Sequence, residues 1–122
     1  PRVKQSAFVD YVVQDLLFGL EGVRARAMFG GFGVFKENVM FAIIAEDQLY
    51  FKADGTNRKE FEQRKSQPFT YPSRGKTVTL SYWEVPGEVM DNRDKILHWA
   101  QRAFKVARKI QKSRSTQEGI AR

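Results

Sequence analysis

A chain of 122 residues, 42% hydrophobic and 29% charged, is long enough for one buried core and too apolar to be a disordered segment. Without cysteine it has neither disulfides nor thiolate metal sites, and its apolar runs are too short to cross a bilayer. The net charge of +7 is unevenly placed: residues 102–122 carry seven Lys and Arg against Glu118 alone, so the body of the chain is nearly neutral and its last helix and tail are basic.

The first element in chain order is a helix from Ser6 to Leu20, with Ser6 as its N-cap. Phe8, Val9, Val12, Val13, Leu16, Leu17 and Leu20 recur at three- and four-residue spacing and form one broad apolar stripe suited to lying on a sheet. A run of short antiparallel strands follows between Val23 and Lys52. Apolar and other residues alternate from Val23 to Met28, the period of a half-buried strand. Val39 to Ala45 is almost wholly apolar and reads as a central strand. Glu37-Asn38 and Glu46-Asp47 separate these runs as two-residue turns, Asn38 and Asp47 being best able to take a left-handed backbone. Gln48 to Lys52 is the next strand, with Leu49 and Phe51 on one face and Tyr50 on the other.

Gly30, Gly31 and Gly33 lie among these strands. They do not form a phosphate loop, because the Gly-Lys-Ser/Thr ending is missing and Lys36 stands where a dinucleotide fingerprint needs its third glycine. A bend or bulge is the structural reading, with Phe29, Phe32 and Phe35 as core and cross-strand aromatics. The alternative is an exposed aromatic platform for bases.

Beyond the turn cluster Asp54-Gly55-Thr56-Asn57, a short helix capped by Asn57 or Thr56 runs from Arg58 to about Lys65, anchored by Phe61 and ended by Gln67-Pro68. Phe69 to Tyr71, hemmed by Pro68 and Pro72, reads as a short edge strand. Thr77 to Tyr82 alternates Val78, Leu80 and Tyr82 against polar neighbours, and the chain then leaves the sheet through Trp83-Glu84-Val85-Pro86-Gly87. The last helix starts near Asp91 or Asn92, with Asp91 as a good N-cap. Its apolar residues Ile96, Leu97, Ala100, Ala103, Phe104, Ala107 and Ile110 fall within an arc of roughly 140°, and Arg102, Lys105, Arg108, Lys109 and Lys112 within roughly 120° on the other side. Residues 1–112 form one domain, and residues 113–122 a basic polar tail that frays.

Several segments taken in order, Arg26-Ala27-Met28-Phe29-Gly30-Gly31-Phe32-Gly33, Met40-Phe41-Ala42, Leu49-Tyr50-Phe51-Lys52, Pro68-Phe69-Thr70-Tyr71 and Ser81-Tyr82-Trp83-Glu84-Val85-Pro86, resemble the N-terminal domain of the TfoX/Sxy family over roughly residues 6–110. The resemblance implies a two-layer α/β sandwich similar in outline to type III secretion chaperones. It also implies a transcriptional co-activator of competence and DNA-uptake genes, working with a transcription factor of the cyclic-AMP receptor protein type. Full-length members usually carry a second, helical domain, for which these residues leave no room; the chain is then a stand-alone relative or a shortened one. The resemblance brings no catalytic residues with it.

The residue-level reading agrees in fold class: an α+β domain of order α-β-β-β-β-α-β-β-α, with an antiparallel sheet packed by helices. Catalysis is not expected, because His98 is the sole histidine and falls toward the basic side of the last helix. No cofactor or metal is expected, and the cytoplasm is the expected location. Two surfaces remain as candidate sites. The cations Arg102, Lys105, Arg108, Lys109 and Lys112 could contact nucleic-acid phosphates, or could serve only to offset the helix dipole and keep the helix soluble. Trp83, Val85 and Pro86, with Phe69 on its edge strand, could meet a protein partner or a twin subunit in a homodimer, or could simply close the core.

Overall fold

The computed structural model describes residues 7–28 and 30–121, with side chains placed through Ser113. Ser6 and Phe29, assigned above as a cap and a sheet aromatic, lie outside the described residues. The first helix, α1, is α-helical over Ala7–Asp10 and continues as a π-helical turn over Tyr11–Leu16. The wider turn is marked by the Leu17 amide, which donates to the Val12 carbonyl at 2.9 Å. Five residues per hydrogen-bonded loop bring Val12, Leu16 and Leu17 to one side, and all three are buried with Val9 and Leu20.

Among the described residues six strands follow: β1 (Arg24–Met28), β2 (Gly31–Lys36), β3 (Val39–Ala45), β4 (Gln48–Lys52), β5 (Pro68–Ser73) and β6 (Lys76–Glu84). They form one open antiparallel sheet of order β1-β2-β3-β4-β6-β5. The expected central strand is β3, over the residues assigned to it. The turns on either side of it have a left-handed backbone at both residues, with φ of 52° and 62° at Glu37 and Asn38 and of 51° and 58° at Glu46 and Asp47. That geometry matches the twist of antiparallel neighbours, and it holds here even though glutamate is an uncommon occupant. Val34 pairs with Ala42 but Phe35 with Met40, so Phe41 is an extra residue in β3. This bulge turns both Phe41 and Ala42 into the core, where each is fully buried.

Helix α2 (Arg58–Gln63) follows β4. Asn57 precedes it but gives it no side-chain cap. Its buried amide instead ties down the loop before α2, accepting from the Asp54 amide at 2.8 Å and donating to the Lys52 carbonyl at 3.2 Å. The Pro-Gly exit from β6 is a short helix rather than a simple turn: α3 (Gly87–Met90) begins after Pro86 and buries Val89. Helix α4 (Arg93–Ala121) is capped by Asn92, whose Oδ1 accepts from the Lys95 amide at 3.0 Å, while Asp91 closes α3. The helix runs through residues 113–121, which were expected to fray.

All helices contribute to one core on one face of the sheet. Phe41, Leu49, Phe51 and Ile44 from the strands meet Ile96, Ala100, Ala103 and Phe104 of α4, with α1 alongside. Phe41 and Phe104 pack edge to face at 6.3 Å, and Phe61 of α2 packs edge to face against Trp99 at 4.8 Å. The architecture is therefore the expected α+β sandwich, with one added short helix.

Candidate functional site

The cations of α4 divide into two groups. Arg102 is half-buried and engaged: Nη1 pairs with Glu60 of α2, and Nη2 donates to the Thr56 carbonyl at 3.0 Å. It ties α4 to the loop before α2. Lys105, Arg108, Lys109 and Lys112 are exposed, and Arg108 lies 3.8 Å from Glu37 at the β2–β3 turn. The exposed stripe is thus four cations long, one of them balanced by an acid. Asp54, near this stripe, is drawn in opposite directions. Partial burial raises its pKa, but hydrogen bonds from the Thr56 hydroxyl and amide, with the charges of Lys109 and Arg102, lower it below the ordinary aspartate value overall. His98 is exposed on the same helix.

The residues at the exit from β6 are drawn inward. Val85 is 2% exposed, and its amide donates to the Leu49 carbonyl at 2.9 Å. Trp83 is half-buried, with its ring 6.3 Å from that of Phe61. Pro86 is half-buried and starts α3, its carbonyl accepting from the Val89 and Met90 amides. Phe69 lies elsewhere. It stands on edge strand β5, 5.1 Å from the Tyr50 ring in an edge-to-face contact and 6.2 Å from the Tyr71 ring. Tyr50 itself is pushed above the ordinary phenol range, first by partial burial and then by the nearby charges of Glu84 and Glu46.

Phe69 belongs to a feature that no single segment foretold. The face of the sheet away from the helices carries an apolar cleft of about 200 Å³. Met28, Met40 and Ile43 line it from the β1–β3 side, and Phe69, Tyr71 and Leu80 from the β5–β6 hairpin. These strands are separated in the sheet order by β4, so the sheet must be concave on this side to bring them together. β4 pairs with β6 over Tyr82–Glu84, and the Ala53 amide adds one bond to the Ser81 carbonyl, so the hairpin beyond Ser81 extends past β4 and can curl. Gly33 makes room at the floor. A Cβ there would sit 2.7 Å from the Met40 sulfur, 3.0 Å from the Met28 sulfur and 3.0 Å from the Phe35 ring. Beside this floor, Arg24 and Arg26 hold their guanidinium carbons 5.3 and 5.1 Å from the centre of the Phe35 ring. The signal for this surface lay in the apolar residues Met28, Met40, Ile43 and Leu80, each of which reads singly as ordinary core.

Among the described residues, no group of three His, Cys, Asp or Glu side chains is placed to hold a metal, and no helix is long and apolar enough to cross a membrane. The chain is 25% identical to protein Sxy of Escherichia coli K12 over 110 residues, 90% of this chain and 53% of that protein. It is 32% identical to DNA transformation protein TfoX1 of Aliivibrio fischeri ES114 over 60 residues, 49% of this chain and 29% of that one. The chain therefore spans about half the length of the first relative and less of the second, and neither name is that of an enzyme. The TfoX N-terminal domain family matches residues 15–107, from the end of α1 to the middle of α4, and the chain belongs to that family.

Proposed function

We propose that this chain is a cytoplasmic, non-enzymatic contact domain of a regulator of DNA transformation, acting as a co-activator through protein contact. A transcription factor of the cyclic-AMP receptor protein type is the proposed partner. The observation that carries the reading is the cleft on the helix-free face. Its apolar, aromatic and methionine-rich lining suits adaptable packing against another protein's side chains. A relative named as a DNA transformation protein supports the regulatory setting.

A second reading is favoured by the exposed stripe Lys105, Arg108, Lys109 and Lys112, which can follow a phosphate backbone. A pull-down with the purified chain, run with and without nuclease, tests both. Capture of the receptor-type factor that survives nuclease supports protein contact. Capture abolished by nuclease supports the basic stripe instead.

A further inference from the structure

The two edges of the sheet are not equivalent. β5 carries Pro68 and Pro72, which lack the amide needed to extend a ladder. β1, at the other edge, has no proline and among the described residues pairs only with β2, so there one side of its backbone is open to a further strand. Its register sets Arg24 opposite Phe35, Arg26 opposite Gly33 and Met28 opposite Gly31, which puts all three side chains on the cleft face. Met28 lines the cleft, while the guanidiniums of Arg24 and Arg26 stand over Phe35 beside it. Among the described residues neither arginine pairs with a carboxylate; Arg24 instead donates to the Asn38 side-chain oxygen at 2.5 Å. An open edge, two arginines without acid partners and an apolar recess thus follow one another at two-residue spacing.

We propose that β1 is a docking edge for an extended protein segment that begins with a large apolar residue and continues with two acidic residues alternating with small polar ones. Resting on the contact-domain reading, this deepens it by naming the partner's chemistry. Such a segment adds a seventh strand. Because every pairing in the sheet is antiparallel, and antiparallel pairing is the more stable per residue, the segment runs apolar end first. Its apolar side chain then lies opposite Met28 and enters the cleft, and its two acids face Arg26 and Arg24. The small residues between them lie over Ala25 and Ala27 on the other face. A second copy of this chain fits less well. The self-pairings centred on Ala25 or Arg26 set Arg24 against Arg26 or Arg26 against Arg26, and like charges directly opposite are destabilising, while the one centred on Ala27 overlaps only the end of β1 and leaves Arg24 without an acid partner. Nucleic acid fits less well than protein, because the part of the recess next to β1 is lined by Met28, Met40 and Ile43, which offer no hydrogen bonds to base edges, and the aromatic rings of Phe69 and Tyr71 lie on its far side.

The test uses a fluorescein-labelled synthetic peptide with the core Leu-Thr-Glu-Thr-Glu, titrated with the full chain by anisotropy at low salt. A peptide with lysines in place of the glutamates and a single-stranded oligonucleotide serve as comparison probes. The acidic peptide is expected to bind saturably and to slow hydrogen exchange at alternate β1 amides. Arg26→Glu should weaken it at least tenfold, and Arg24→Glu with Arg26→Glu should reverse the preference toward the lysine peptide. Both sites are exposed, and circular dichroism checks the fold; Arg26→Gln replaces the reversal if the edge is disturbed. No saturable binding of the acidic peptide, or equal binding by wild type and Arg26→Glu, overturns the proposal. So does oligonucleotide binding that depends on Arg26 while the peptide fails to bind, or self-association that Arg26→Glu abolishes. If the peptide fails while the receptor-type factor is still captured after nuclease treatment, the docking edge falls and the contact-domain reading stands.

Discussion

Gly31 and Gly33 stand two residues apart in β2 and tolerate a side chain very differently. A Cβ on Gly31 would lie 2.5 Å from the Ile44 carbonyl oxygen, a backbone atom held in the ladder with β3. Gly31→Ala is therefore expected to destabilise the fold by about 2–3 kcal/mol in urea denaturation. On Gly33 the nearest atom is the Met40 sulfur, the far part of a flexible side chain. Gly33→Ala should cost about 1 kcal/mol or less and shrink the cleft floor instead. Asp54 gives a prediction in pH. Its folded pKa is depressed, so its contribution is present above the unfolded value, about 3.9, and is lost as pH falls through the lower folded value. The stability difference between wild type and Asp54→Asn should therefore narrow as pH drops from 6 toward 3, measured by thermal melts across that range.

At the scale of elements, α4 combines fastening and exposure. Arg102 links α4 to Glu60 of α2 and to the Thr56 carbonyl, so Arg102→Ala should lower stability by about 1–2 kcal/mol. Lys105 and Lys109 point outward, and replacing both by Ala should leave the melting temperature within a degree or two. The helical spacing that grouped these five cations gave their common face but not their neighbours. Only the docking of α2 separates the fastening arginine from the exposed lysines. β3 was legible to the residue because an unbroken apolar run bounded by turn-forming pairs has few other readings. The π-turn in α1, the short α3 and the buried Trp99 were not legible, since each depends on packing rather than on a local period. The cleft was hidden for the same reason. Met28 and Leu80 are far apart in sequence and in sheet order, and only the curvature of the assembled sheet brings them to one recess.

At the scale of the whole molecule, the two candidate surfaces are separate: the cleft is on the helix-free face and the basic stripe is on the outer side of α4. If all four exposed cations meet phosphates, the logarithm of the DNA affinity should fall with the logarithm of salt at a slope of about −3 to −4. Replacing Lys105 and Lys109 should bring that slope to about −2, while Arg26→Glu should leave it unchanged; anisotropy titrations at several salt concentrations read both. The β5–β6 hairpin has a further mechanical consequence. It is rooted in the sheet over residues 81–84 of β6, where the Ala53 amide donates to the Ser81 carbonyl and the Tyr82 hydroxyl to the Met40 carbonyl, and its far end extends past β4. The gap between Tyr71 and Met28 is thus set by the curl of the hairpin beyond that root rather than by the packing of the main core. Shortening the hairpin at residues 73–76 is therefore expected to widen the mouth of the cleft while leaving the unfolding midpoint of the main core nearly unchanged, read by urea denaturation.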